Sequence, residues 1–535
     1  MAAKGVAVPR PPIDIKALLS QRIEDGMDHL TSETQAKFRA LEAEERLNDS
    51  RRGFFKALGL GAAAASGIGS AVFSPSAWAY GGPFAAAFGL DPSMTFMNIG
   101  TTGSTPIPVL KNLAANNAAI ARDPTASFNT QDMRNIIAPG FGSDPFEIVM
   151  SFNTTDGMGK IVNGMQFSPG DEIITTNMEH GGGNSPMQIT ADRRGVVLRR
   201  AGIPTSDVYS DALMLARFQA LRTPATKAIV FSSPIYLTGI RLPEKALALW
   251  AASQGIQSLC DGAHLPGMIA FDMHDSGLDF FAGSGHKWQC GPGQTGIMYV
   301  RNGTSAAPYT RSVTTGGVTS TLTIPGYANT TPLPPFWPSF GGYSGTPGTA
   351  LAQGVRNPAH NIAATLMSHG NPSYPALRAL QECCQLWDMW GRKTIEDYDL
   401  ALAQYLRSRI AAIWGNRSMA TPYDPSLPHH AQIALTSLNP FSTTPGMGYD
   451  YNADLTPAQA TQQTTDSNNA VTTLRTVHRI GIRNTAVPHS LRSNPNANAA
   501  ADAMSHPLRL STHLFHATSD VDNLITALLA TVPHP

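Results

Sequence analysis

Between residues 130 and 300, short apolar, β-rich runs recur at intervals. They are EIVMSF (147–152), EIITTN (172–177), VVLRR (196–200), AIVFSS (228–233), IQSLC (256–260), DFFAGS (279–284) and GIMYV (296–300). Between several of them lie helix-patterned stretches such as DGMGKIVNGMQF and LPEKALALWAASQG. Strands alternating with helices predict an α/β unit around a mainly parallel sheet. Such sheets place ligands outside the carboxyl ends of their strands.

The texture then changes. Residues 303–350 are rich in Thr, Pro and Gly without an apolar period, and read as loop. From about 354 the pattern is helical (NIAATLMSHG, ALRALQECCQLWDMWG, EDYDLALAQYLRSRIAAIW), followed by a polar, low-complexity stretch at 440–470. Strand-like HRIGIR (478–483) and LRLST (508–512) precede a terminal helical segment, SDVDNLITALLATV. We divide the chain into an N-terminal extension (1–79), a large α/β domain with its N-terminal segment (80–353) and a smaller α+β domain (354–535). No internal repeat is visible.

Composition narrows the function classes. The chain has 535 residues, with 38 Lys and Arg against 38 Asp and Glu. A net charge of zero gives no electrostatic case for nucleic acid or an anionic membrane surface. The length and the 42% hydrophobic content permit more than one folding unit with a large core. Cys260, Cys290, Cys383 and Cys384 are too few and too irregularly spaced for a disulfide framework, and no CxxC pair points to a metal such as zinc.

The N-terminal extension has its own character. Arg51 and Arg52, with Phe54 and Phe55 just beyond, precede a weakly apolar Gly/Ala run, and Ala77-Trp78-Ala79 is a small-x-small cleavage pattern. This resembles a twin-arginine export signal, implying the translocation machinery as partner and a periplasmic or secreted location. The run is too weakly apolar for a stable membrane span. The charged, helix-like residues 1–49 have no assigned role.

The chemistry centres on GSGHKWQCGPGQTG (283–296), where Lys287 sits in a Gly-rich turn at a strand end. A desolvated lysine has a lowered pKa and suits Schiff-base chemistry. Asp261, in Cys260-Asp261-Gly262-Ala263-His264, ends another strand and would face a protonated ring nitrogen. Ser284 and His286 flank the lysine as donors for a phosphate. Thr154 and Thr155 open a helix whose free N–H groups suit an anion. His180, in Glu179-His180-Gly181, offers an imidazole to stack on a flat ring. An aldehyde for the lysine, a cation for the aspartate, a phosphate for the hydroxyls and a ring for the histidine together describe pyridoxal 5′-phosphate.

The segment CDGAHLPGMIAFDMHDSGLDFFAGSGHKWQCGPGQTGIMYVR closely resembles the cofactor motif of class V aminotransferase-like enzymes of fold type I. The resemblance runs from MNIGTTGSTPIPV (97–109) to the C-terminus, and is closest to the isopenicillin N epimerase-like branch. It implies a fold type I transferase architecture and a homodimer with sites at the subunit boundary. It also implies that Lys287 carries the cofactor, Asp261 pairs with the pyridine nitrogen and His180 stacks on the ring. Thr154, Thr155, Ser284 and His286 would hold the phosphate, with His264 near the phenolic oxygen. Arg509 would take a substrate α-carboxylate, and Asn98 is placed beside it. Each residue has an ordinary alternative: Asp261 as a helix cap, His180 as a loop histidine, Arg509 as an ion-pair partner.

Two positions depart from the family pattern. Tyr236 stands where relatives often carry an asparagine near the phenolic oxygen. Val355 replaces the threonine that relatives use to reach the phosphate across the subunit boundary, with Thr346 and Thr349 as possible substitutes. Desulfurases need a nucleophilic cysteine in the smaller domain, and residues 481–507 contain none; Cys290 is expected to pack as a small apolar residue. The expected function is chemistry at the α-carbon of a small amino-acid-type substrate, with aminotransferase favoured over epimerase or C–S/β-elimination lyase. A non-catalytic carrier of the cofactor would not need both Lys287 and Asp261.

Overall fold

The computed structural model describes residues 82–126, 128–206, 209–337, 361–368, 370–488 and 504–535. The twin-arginine segment, Thr346, Thr349 and Val355 lie outside the described residues.

Strand β1 (Thr95–Phe96) and helices α1 (Ile107–Arg122) and α2 (Thr130–Ile137) precede the central sheet. The sheet strands and their helices follow in order: β2 (Ile148–Ser151), α3 (Thr154–Gly164), β3 (Glu172–Thr176), α4 (Gly181–Arg194), β4 (Val197–Ala201), α5 (Asp211–Gln219), β5 (Thr226–Ser232), α6 (Glu244–Ser253), β6 (Gln257–Asp261), β7 (Phe280–Ser284) and β8 (Gly296–Val300). The spatial order is β2-β8-β7-β6-β5-β3-β4. The run from β7 to β4 is parallel, while β8 lies antiparallel to both β7 and β2. The sheet is thus mixed and mostly parallel. Strands β2, β3, β7 and β8 are buried at every position, which is why they read as continuous apolar runs rather than alternating ones. The edge strand β4 is partly exposed.

Two stretches differ from the sequence expectation. The 303–350 region is not all loop: β9 (Tyr309–Thr315) and β10 (Val318–Ile324) form a hairpin turning at Gly316 and Gly317, with φ of +58° and +82°. Its residues are mostly exposed, so no burial selected an apolar face to give it a period. The polar 440–470 stretch leads into a 20-residue helix, α9 (Pro457–Thr476), after α7 (Tyr374–Trp390), α8 (Arg392–Trp414) and strand β11 (Leu435–Leu438). Thr456 and Gln459 form its capping box. Its buried stripe is Ala460, Gln463, Ser467, Ala470 and Leu474, which has helical spacing but little apolar content.

The C-terminal strands are β12 (Ile480–Gly481), β13 (Arg483–Asn484) and β14 (Leu508–Ser511), followed by α10 (Thr518–Leu529). Strand β14 lies between β11 and β13, antiparallel to both, while β12 pairs in parallel with β1. The N-terminal segment is therefore tied to the C-terminal strands. Its next residues, 98–103, lie over the lysine turn: Gly103 N–H donates to His286 O at 2.7 Å.

Candidate active site

The carboxyl ends of β2, β3, β5, β6 and β7 deliver the chemistry-bearing residues. Lys287 follows β7 by three residues and is half-buried. Its amine makes no hydrogen bond among the described residues. Burial lowers its pKa to about 8, against the pull of the Asp261 carboxylate and with help from Arg509 and Arg483. The turn after it is tight: Cys290 has φ +55°, and a Cβ at Gly103 would meet Lys287 O at 2.1 Å. Only glycine fits there.

Asp261 ends β6, 3% exposed. Its Oδ1 accepts from Ala263 N–H at 3.1 Å. A Cβ on Gly183, in the first turn of α4, would lie 3.1 Å from Oδ2, so the helix start passes close over the carboxylate. Burial pushes the carboxyl up to about 6, while Lys287 pulls it down. Glu179, unremarked in sequence, accepts from Ser232 N–H at 3.1 Å, Ser232 Oγ at 2.5 Å and Thr176 Oγ1 at 2.5 Å. Burial raises it to about 7.

His180 caps α4, its Nδ1 accepting from Gly182 N–H at 3.0 Å. The residue is exposed, and its ring meets Tyr236 edge-on at 4.8 Å. Desolvation, then Lys287, Arg483 and Arg509, lower its pKa to about 4. Tyr236 is half-buried, and its phenol is shifted upward by burial.

Thr154 and Ser284 are buried, with hydroxyls 2.7 Å apart, at the start of α3 and the end of β7. Asn153 caps α3 through Asp156 N–H, leaving the N–H groups of its first turn for an anion. Thr155 is exposed against Gly182. His286 is half-buried, with Nδ1 3.3 Å from Thr295 O.

His264 is buried, and its Nδ1 accepts from the Trp288 indole N–H at 3.1 Å. That bond places the ring proton on Nε2, which is buried with no partner. Burial holds this imidazole well below its usual pKa. Arg509 is 1% exposed. It donates to Tyr236 O at 3.2 Å, Asn98 Oδ1 at 3.3 Å and Thr101 Oγ1 at 2.9 Å, while its Nε has no partner. No carboxylate faces it among the described residues.

The fold thus brings together Lys287, Asp261, His180, His264, Tyr236, Arg509 and Asn98, with Thr154, Thr155, Ser284 and His286 on the strand-end side. Residues the sequence did not flag also belong here: Thr101, Trp288, Glu179 and Arg483. Only strand register exposes Arg483, which pairs directly with Arg509 across β13 and β14. Among the described residues no three His, Cys, Asp or Glu side chains are grouped to hold a metal, and no helix is long and apolar enough to cross a membrane.

The aminotransferase class-V family model matches residues 110–354. Isopenicillin N epimerase of Streptomyces clavuligerus is 29% identical over 226 residues, covering 40% of this chain and 55% of that protein. A cysteine desulfurase of Serratia proteamaculans is 33% identical over 158 residues, covering 29% of this chain and 38% of that one. The chain thus spans about half the length of the curated epimerase it matches. A solved complex of the cystine C–S lyase C-DES with its product cysteine persulfide aligns over 83% of this chain and 99% of its own, with a TM-score of 0.58 at 20% identity. The Escherichia coli cysteine desulfurase CsdA aligns over 86% and 99%, with a TM-score of 0.57 at 17% identity.

The chain has the class-V aminotransferase fold, an α/β architecture with a mixed, mostly parallel central sheet. A solved variant of C-DES with this fold, 17% identical and with a TM-score of 0.56, carries glycine covalently linked to its pyridoxal 5′-phosphate cofactor. The donor set fits that group: an unpartnered amine, a buried carboxylate with one free oxygen, an orphaned buried imidazole N–H, and paired hydroxyls at a helix N-terminus.

Proposed function

We propose that the protein is a pyridoxal-phosphate enzyme acting at the α-carbon of an amino acid, and that it is an aminotransferase using one base. Bound, the cofactor supplies an electron-accepting ring conjugated to the α-carbon. Lys287 would hold its aldehyde carbon and Asp261 its ring nitrogen. Thr154, Ser284 and the first N–H groups of α3 would hold its phosphate, and His180 and His264 its ring face and oxygen. Arg509 orients the substrate carboxylate through its planar fork. Lys287, with its pKa near 8, would take the proton from the substrate α-carbon and deliver it, on the same face, to the carbon it had itself held on the cofactor.

One observation carries the choice among reactions. Epimerisation needs a second base opposite Lys287. His264 and His180 each have Nδ1 engaged as a hydrogen-bond acceptor, so each carries its proton on Nε2. The Tyr236 phenol is shifted toward its protonated form. None of the three offers a free basic lone pair. A desulfurase thiolate is also missing: all four cysteines are buried, and burial raises Cys260, Cys383 and Cys384.

The test is a panel of L- and D-amino acids with the holoenzyme and no added keto acid. The expected result is one equivalent of keto acid per site without ammonia, with turnover restored by a second keto acid. Scrambled chirality with solvent deuterium at the α-carbon and no keto acid means an epimerase. Keto acid with ammonia means a lyase.

We also propose export by the twin-arginine route and assembly as a two-fold dimer. The first rests on Arg51, Arg52 and Ala77-Trp78-Ala79. Replacing both arginines by lysine should retain the precursor in the cytoplasm, whereas periplasmic recovery would end that reading. The dimer rests on the family pattern and is tested by sedimentation.

A further inference from the structure

Arg483 and Arg509 stand directly opposite each other in the antiparallel pairing of β13 with β14. Like charges in that relation repel and destabilise a sheet. No Asp or Glu among the described residues pairs with either. Both instead donate to one oxygen, Thr101 Oγ1, Arg509 at 2.9 Å and Arg483 at 3.3 Å. That hydroxyl in turn donates to Asn98 Oδ1 at 2.8 Å. Neutral acceptors thus hold two guanidinium groups side by side without compensating charge.

The two arginines differ in depth. Arg509 is fixed and fully buried, with its Nε unsatisfied. Arg483 is exposed, its Nε donating to Asn484 O at 3.2 Å. The field of both arginines reaches Lys287, His180 and His264. A single α-carboxylate on Arg509 leaves the outer guanidinium uncompensated.

The geometry points to a substrate with two carboxylates: a dicarboxylic amino acid whose α-carboxylate sits on Arg509 and whose distal carboxylate sits on Arg483. This deepens the proposed function and rests on it for the identity of the reacting centre. Arg483 is then the residue that selects acidic substrates over their amides. Charge-assisted bidentate pairing gives arginine that discrimination.

Calorimetric titration of the holoenzyme with glutarate and with butyrate tests the pair without turnover. The expected result is glutarate binding at least tenfold tighter than butyrate at low salt. In Arg483→Gln the ratio should fall to within about twofold, and in Arg483→Lys it should be partly kept. Arg483 is exposed, so both variants should fold; matching circular dichroism spectra check this. Equal affinities for the two acids in the wild type, or an unchanged ratio in Arg483→Gln, overturn the proposal. If glutarate is preferred but no amino acid perturbs the cofactor's absorption, the functional reading fails while the two-carboxylate site stands.

Discussion

His513 Nδ1 lies 2.7 Å from Asp399 Oδ2, with both side chains wholly buried, and its other ring nitrogen lies 3.0 Å from Trp288 O. A doubly protonated ring donates in both directions, so a buried ion pair from the C-terminal part of the chain clamps the turn that carries Lys287. Burial alone would lower the His513 pKa, but the Asp399 carboxylate outweighs it and raises the group to about 10. Its folded-state pKa lies above the unfolded value, so its stabilisation is lost as pH rises from about 6.5 toward 10. Thermal midpoints should therefore fall between pH 7 and pH 10, with a shallower slope in His513→Gln. An equally steep slope in that variant would assign the loss to other groups. Asp399→Ala strands a buried cation and should cost about 3–5 kcal/mol in urea unfolding.

The amine of Lys287 should capture the cofactor as a partly neutral base. Its pKa of about 8 predicts that cofactor-free protein takes up pyridoxal 5′-phosphate at a rate rising through a midpoint near pH 8, rather than near the value of a free lysine. Borohydride should then fix the label on Lys287. The competitors are poorly placed: Lys160 is paired with Asp156 at 2.8 Å, Lys245 with Asp275 at 2.6 Å, and Lys227 is exposed. A label mapped to any of these, or a midpoint above pH 10, would contradict the site.

The sheet was legible because burial on both faces makes most of its strands apolar throughout, and all seven runs read from sequence coincide with its strands, the partly exposed edge strand β4 included. The lysine turn was legible because a cation among glycines is chemically conspicuous. The hairpin of β9 and β10 and helix α9 were not: their threonines, glutamines and serines leave no apolar period, and a turn at two glycines and a capping box hold them instead. Arg483 was invisible for a different reason. Residues 483 and 509 are brought together only by strand register, which local pattern does not encode. The same holds for Asp399, 114 residues from its partner His513.

Asp261 should trade stability for activity. Its carboxyl is raised to about 6 by burial, so the charged form is disfavoured in the folded, cofactor-free chain. A carboxyl raised above its unfolded value makes stability fall as pH rises between about 4 and 6. Asp261→Asn should therefore unfold at the same temperature as the wild type or higher at pH 8 without cofactor. Holoenzyme turnover should fall by about 100-fold or more, the scale of losing a preorganised electrostatic partner. Destabilisation of the cofactor-free variant would mean that the carboxylate is structural.

Trp288 should decide whether the site has one base or two. Its indole N–H occupies His264 Nδ1, which fixes the proton on Nε2 and leaves that buried nitrogen a donor. Gly100 brings His264 and Arg509 together, since a Cβ there would lie 3.3 Å from His264 Cε1 and 3.2 Å from Arg509 Nη2. The imidazole thus borders the carboxylate site while lacking a free lone pair. In Trp288→Phe the constraint goes, the other tautomer becomes accessible, and Nε2 gains a lone pair that accepts a proton. The variant should slowly racemise unreacted amino acid, detected as loss of enantiomeric excess with solvent deuterium at the α-carbon, while the wild type preserves chirality. Adding His264→Gln should abolish the racemisation. If Trp288→Phe keeps its substrate chirally pure while still forming keto acid, the tautomer of His264 is not what restrains the second base. If the wild type itself racemises its substrate, the one-base reading fails at its root.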